Sequence, residues 1–296
     1  MGELGFSGVI YVCRGFSRAL VYAVALVVVL WSAGCTARSG NSGPRWELLW
    51  ADEFAGPAAT APDPSKWSYD IGGGGWGNHE LQEYTDSTDN VFQDGKGYLH
   101  IRASRTPGGF RSGRIKTQGK FSFTFGKLDA RIKIPYATGV WPAFWLLGDS
   151  PGVRWPNAGE IDVMENFGPS GSPAFSNHGT LHGPGYASTG ITARYDLPDR
   201  RSFADDFHVF SIERSPGSVE FFVDGVSYQK VVAGDPRVRS NWVFDAPFFL
   251  LLDVAVGGSP APVGAPAEST RFPQDMLIDY VRVYKDVSSA QRTRLN

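Results

Sequence analysis

The 296-residue sequence predicts one all-β domain, an antiparallel β-sandwich with one sheet curved into a concave cleft. Three observations carry this reading. Apolar residues recur at every second position in several separate runs. No segment of about twelve residues or more holds a 3.6-residue repeat. Glycine and proline, 36 and 20 in number, punctuate the chain from end to end.

The first element is a leader. Arg14 and Arg18 precede ALVYAVALVVVLW (19–31), an apolar run of 13 residues. A membrane-spanning helix needs about 20, so residues 1–35 read as an export signal. The stretch SAGC, ending at Cys35, resembles a bacterial lipobox whose cysteine takes a lipid, with Ser32 where an aliphatic residue is usual. Plain cleavage after Gly34 or Ala37 is the alternative. Cys13 and Cys35 are the only cysteines. The folded part therefore has no disulfide and must rely on its core, helped by any bound metal ion. Residues 36–45 (TARSGNSGPR) form a polar tether, 46–286 the domain, and 287–296 a tail.

Within the domain, KFSFTFGKLDARIKIP (120–135) puts Phe121, Phe123 and Phe125 on one face. Past Gly126-Lys127 it puts Leu128, Ala130, Ile132 and Ile134 on one face, which predicts a hairpin. SVEFFVDGVSYQKVV (218–232) carries the Asp224-Gly225 pair of a tight hairpin turn. FFLLLDVAVGG (248–258) is a continuous apolar run of central-strand type, and MLIDYVRVYK (276–285) closes the fold.

At net −2 the chain lacks the basic surplus of a nucleic-acid-binding protein. Aromatics make up 14%, with nine tryptophans, and Trp beside acidic residues suggests a sugar-stacking cleft. GEIDVMENFG (159–168) sets Glu160, Asp162 and Glu165 within six positions. Strict alternation would put Glu165 on the opposite face from the other two. A β-bulge after Asp162 would shift the phase and turn all three acids to one side. Two carboxyls about 5 Å apart then suit retaining glycoside hydrolysis, and a third between them keeps one partner protonated. Asp162, hydrogen-bonded to Glu160, would orient the nucleophile. A solvated acidic face or a calcium site are the competing readings. Apolar neighbours argue against the first, and the absence of a following Asn/Asp-rich loop argues against the second.

With GGGWGNHELQEYT (73–85), GRIKTQGKFSFTFGKLDARIKIP (113–135), GVWPAFWLLG (139–148), HGTLHGPGY (178–186) and FPQDMLIDYVRVY (272–284), the acidic segment resembles glycoside hydrolase family 16. The form is the bulged E-x-D-x-x-E of laminarinase-like β-1,3-glucanases, and the likeness runs from LLWADEF (48–54) to IDYVRVY (278–284). It implies a jelly roll and an exported, retaining endo-β-1,3-glucanase. It assigns Glu160 as nucleophile, Asp162 as assisting acid, Glu165 as general acid/base and His182 as their neighbour. Asn78 matches a sugar-contacting residue.

Trp141, Trp145 and Trp155 are expected as substrate platforms, with one of the first two serving the core instead. No cofactor is expected for catalysis. The resemblance implies a structural calcium away from the cleft, on Glu53, the Gly97 carbonyl and Asp279. The expected partner is a β-1,3-glucan, with membrane contact only through a lipid on Cys35, and the protein is expected to be a monomer. A relative acting on mixed-linkage glucan or galactan, or a non-catalytic β-glucan-binding protein, are the alternatives. Three departures stand out: Arg214 where relatives have Trp, read as a surface change, Asp253 where Asn is common, and SPAPVGAPAE (259–268) without Trp-Pro-Gly. The last two put the subsite layout in question.

Overall fold

In chain order the strands are β1 (Trp46–Asp52), β2 (Ser68–Tyr69), β3 (Gln82–Tyr84), β4 (Val91–Gln93), β5 (Leu99–Thr106) and β6 (Gly109–Ser112). Then come β7 (Arg114–Lys116), β8 (Gly126–Lys133), β9 (Val140–Gly148), β10 (Glu160–Glu165), β11 (Ser176–His182) and β12 (Ile191–Asp196). The last are β13 (His208–Ser215), β14 (Ser218–Val223), β15 (Val226–Val232), β16 (Phe248–Val256) and β17 (Gln274–Asp286). One short helix, α1 (Gly168–Gly171), follows β10. The computed structural model describes residues 43–259 and 262–288. The expected leader with Cys13 and Cys35, most of the expected tether, and the expected tail beyond 288 lie outside these.

Two sheets face each other across one core. One has ten strands, with the path β15-β14-β13-β8-β17-β5-β6-β3, β1 joined to β17 and β4 to β5. The other has seven, in the order β12-β11-β10-β9-β16-β7-β2. Non-sequential neighbours in both make this the expected β-sandwich with jelly-roll winding. All nine residues of β16 are buried, as its unbroken apolar run requires of a central strand. The Asp224-Gly225 hairpin is present, with φ of 49° and 78° at the two turn residues.

The hairpin expected over 120–135 is not there. β7 belongs to the seven-stranded sheet and β8 to the ten-stranded one, so residues 117–125 are the crossover between sheets. The alternating phenylalanines serve a turn rather than a strand. Thr117 Oγ1 donates to the Phe121 carbonyl, and the Lys120 and Phe121 amides both return to the Thr117 carbonyl. Phe121 stacks on Trp50 at 4.9 Å, Phe123 is buried with a single bridge to Phe248, and Phe125 is exposed.

Arg214 holds this crossover and is not a surface residue. It is 2% exposed, donates through Nη1 to the Phe123 carbonyl at 2.9 Å, and through Nη2 to those of Phe244 (2.6 Å) and Ala246 (2.8 Å). Its guanidinium lies 4.5 Å from the Phe248 ring centre and 5.3 Å from that of Phe123. Burial pulls its pKa down to about 9, against the pull of the Asp245 charge. A planar, aromatic-stacking side chain is thus kept, and the fork gains three backbone acceptors.

The residues expected to hold calcium are engaged otherwise. Both Glu53 oxygens accept from Arg282, at 2.8 and 2.7 Å, and Asp279 is paired with Arg131 at 2.5 Å. Gly97 sits between β4 and β5 with φ of 96°. A dication here would have to displace two guanidinium groups, so the donor set does not fit the site the resemblance implies. Asp279 faces outward by simple alternation after Ile278 and is the extra residue of a β17 bulge, which passes the inward phase from Ile278 to Val281.

Arg214→Ala should lower unfolding stability by about 3 kcal/mol, since the buried Phe244 carbonyl and the half-buried Ala246 carbonyl lose this donor, the Phe123 carbonyl keeps only the Phe248 amide, and a cavity is left among the rings. Arg214→Lys should recover only part of this, because an ammonium cannot span the same fork. Urea melts of the two variants measure both effects.

Candidate active site

β10 lies between β9 and β11, and its register slips against both. Against β9, Asp162 faces Trp145 while Met164 faces Phe144, so Val163 is the extra residue. Against β11, Asp162 faces Thr180 and Glu165 faces His178. Ile161, Val163 and Met164 all point into the core at 1% exposure or less. The three carboxylates are thereby left on the open side of the sheet, as the phase argument expected. Gly159, at φ 80°, admits the chain to this strand, where a Cβ would lie 2.9 Å from the Phe248 ring.

His182, opposite Glu160 on β11, brings Nε2 to 3.2 Å from Asp162 Oδ2 and 4.0 Å from Glu160 Oε1. Its Nδ1 lies 2.6 Å from the Ala187 carbonyl, so Nδ1 carries a proton and Nε2 turns to the acids. Asp162 therefore meets His182, rather than hydrogen-bonding directly to Glu160. Ligand atoms of Glu160, Asp162 and His182 lie within 4.8 Å of one another, the one such acid–histidine group among the described residues.

Trp141 and Trp145 both stand on the open face of β9, while Pro142, Phe144 and Leu146 fill the core side, so neither indole is given over to the core. Trp141 Nε1 donates to Glu165 Oε1 at 3.0 Å, and Trp145 Nε1 to Asp253 Oδ1 at 2.7 Å. Trp155 is 51% exposed, and its side chain favours the charged form of Glu160. Asn78 donates to Glu80 Oε1 at 3.2 Å, and its carbonyl receives the Ser259 amide.

Sequence reasoning missed a polar network beside these residues. The Arg114 guanidinium lies 4.8 Å from the ring centres of both Trp76 and Trp145, and its Nε is 2.9 Å from Asp70 Oδ2. Tyr84 donates to Asp253 Oδ2 at 2.9 Å, and Gln82 to Glu80 Oε2 at 2.6 Å. The signal for Arg114 was available in the alternation of β7, where Ile115 is buried and its two neighbours must face the cleft.

Burial dominates the electrostatics. It pushes Glu160 up to about 8, with the Asp162 charge adding to it, while His182, Arg114 and the Trp155 N–H pull the other way. Burial and the nearby Asp253 raise Asp162. Glu165, 8% exposed, is raised well above its ordinary range by burial and then by Asp162. With so few cations among these acids, Glu165 is the group that keeps its proton.

An open sheet face with clustered carboxylates, one of them protonated, flanked by indoles, can exchange protons and attack a sugar carbon. Known proteins match this arrangement along most of the chain. Residues 78–281 match the glycosyl hydrolases family 16 pattern. The chain is 39% identical over 259 residues to a β-glucanase of Rhodothermus marinus, covering 83% of this chain and 87% of that one. Identity is also 39% over 267 residues of a glucan endo-1,3-β-glucosidase of Niallia circulans, spanning 81% of this chain and 38% of the other. The solved laminarinase catalytic domain from Thermotoga maritima shares 42% identity at a TM-score of 0.75, over 82% of this chain and 99% of that one. The bulged acidic strand, the sandwich around it and these matches agree: the chain belongs to glycosyl hydrolase family 16.

Proposed function

We propose that the protein is an endo-acting β-1,3-glucanase that cleaves with retention of anomeric configuration. The observation that carries this reading is the β10 bulge, which turns Glu160, Asp162 and Glu165 to one face. Glu160 attacks the anomeric carbon while Glu165 gives its proton to the departing glycosidic oxygen. Water, deprotonated by Glu165, then releases the sugar from Glu160.

The surroundings suit each role. Glu165 accepts the Trp141 N–H at Oε1, which leaves Oε2 to carry the proton. Glu160 is the more exposed acid; burial and Asp162 raise it to about 8 against His182, Arg114 and Trp155, so the ionised form that attacks grows as pH rises toward that value. Asp162 lies between Glu160 and Glu165 along the strand, with His182 Nε2 3.2 Å from its Oδ2. The substrate class is supported by relatives that act on 1,3-β-glucans. It also suits the aromatic faces, with Trp155 near Glu160 and the Trp76–Arg114–Trp145 stack on the β7 side. Flat surfaces at successive angles fit a curved glucan better than a straight one.

The range of polymers cleaved and the anomer first released test this. Laminarin and curdlan should release reducing ends readily, barley mixed-linkage glucan much more slowly, and cellulose and agarose not at all. NMR of the early digest should show the β-anomer first, and α-product would refute double displacement.

Glu160→Gln should remove turnover by a factor of about 10⁴ or more without unfolding the protein. Glu165→Ala should lose natural substrates, yet regain turnover of an activated aryl β-glucoside in azide, giving the β-glycosyl azide. An α-azide would reverse the two roles.

Because the Glu165 pKa is raised from its ordinary 4.5, its folded form binds the proton more tightly than the unfolded chain does. Its contribution is therefore intact below that value, and stability falls as pH rises toward the folded pKa. Glu165→Gln should melt close to wild type near pH 4 and several degrees higher near pH 8, a difference differential scanning calorimetry would measure.

A further inference from the structure

Beyond β11, on the side of β10 away from Arg114, a cavity of about 370 Å³ opens beside His182. Tyr186, Thr189, Thr192, Arg237 and Arg239 line it, with the backbone of Gly190 and Ile191 between them. Its wall is the 183–190 loop that also grips the catalytic histidine. The Ala187 carbonyl faces His182 Nδ1 at 2.6 Å, and a methyl at Gly190 would meet His182 Cε1 at 3.1 Å and Thr180 Cγ2 at 2.4 Å. Thr192 continues the open face one strand out, its Oγ1 lying 3.1 Å from that of Thr180. The cavity therefore adjoins the reaction centre.

Its chemistry differs from that of the rest of the cleft. The floor around Arg114 is rich in carboxylates and indole rings. The cavity has no carboxylate in its lining, and its one aromatic side chain, Tyr186, is 3% exposed and offers no free stacking face. Arg237 is already paired with Asp235 at 2.7 Å. Arg239 is exposed and makes no hydrogen bond or ion pair among the described residues. The lining thus carries an uncompensated positive charge and is rich in donors. A neutral pyranose hydroxyl both donates and accepts, whereas guanidinium groups donate and never accept. The complementary ligand group is one that only accepts and carries negative charge.

We propose that this cavity is a subsite for an acidic substituent, a carboxylate or sulfate ester, carried by a sugar of the glucan bound beyond His182. This rests on the β-1,3-glucan reading above for the polymer, and adds that the enzyme favours acidic derivatives of it. Because the same loop holds His182, occupancy of the cavity is coupled to the position of a residue at the reaction centre.

The test uses laminarin, lightly carboxymethylated laminarin and lightly sulfated laminarin. At about 20 mM salt, wild-type kcat/KM should be severalfold higher on both acidic polymers than on the parent. The advantage should shrink toward unity near 0.5 M NaCl, where exposed charges are screened within a few ångströms. Arg239→Ala should abolish the acidic-over-neutral ratio at low salt, and Arg237→Ala should reduce it. Binding of the same three polymers to Glu160→Gln, with and without Arg239→Ala, gives the ratio without turnover. No acidic preference, or one that survives Arg239→Ala or high salt, overturns the proposal. Failure of wild type to cleave plain laminarin strikes the polymer assignment instead, and the binding ratio in Glu160→Gln then decides the cavity.

Discussion

One inserted residue in β10 underlies everything the open face does. Without the slip at Val163, Glu165 would point into a core of Phe144, Leu146 and their neighbours, and Met164 would stand in the cleft. With it, three acids share one face, and each requires compensation that the surrounding strands supply. β11 brings His182, β9 brings the Trp141 N–H, and β7 brings Arg114. β9, β10 and β11 are consecutive in the chain and paired side by side, whereas β7 joins them only across β16, so the full geometry exists only once the seven-stranded sheet has closed.

That arrangement is held against its own electrostatics. Buried carboxylates raised by desolvation and by one another work against folding at neutral pH, and the surplus has to come from elsewhere. The fully buried β16 and the long β17 supply much of it. β16 lies next to β9 and β7 under the site, and β17 joins β8, β5 and β1 in the opposite sheet. With no cysteine after Cys35, the tie between sheets is the core itself, with Arg214 closing the crossover. Rigidity there matters to the site, because Phe244 and Phe248, which Arg214 touches, also bound Gly159 just ahead of Glu160.

Local features were legible in the sequence and long-range ones were not. The phase of GEIDVMENFG, the Asp224-Gly225 turn and the unbroken β16 run each depend on residues within one strand or hairpin, and all three read correctly. Residues 117–125 alternate as a strand does, yet their hydrogen bonds close a turn at Thr117, which alternation cannot disclose. Arg214 looked like surface because charge usually means exposure. Its partners are three carbonyls 30 to 91 residues away. Glu53 and Asp279 had the oxygen donors of a metal site, but the guanidinium groups that meet them lie on strands whose register no short motif encodes. The two tryptophans of WPAFW were split between core and cleft, although spacing by four in a strand puts both on one face.

Asp253 shows how a departure from the family pattern is absorbed. Its two oxygens receive the Trp145 N–H and the Tyr84 hydroxyl, both of them donors. An asparagine would offer one acceptor oxygen and an amide that can only donate, so it could not receive both in this geometry. The carboxylate satisfies the pair but adds a charge in a 5%-exposed position. Arg114, stacked between Trp76 and Trp145, supplies the opposing charge. The same negative charge reaches Asp162 and raises its proton affinity. The residue that orients an indole on the cleft floor therefore also biases the protonation of the acid between Glu160 and Glu165. One side chain thus fixes the Trp145 indole and adds to the effect of burial on Asp162.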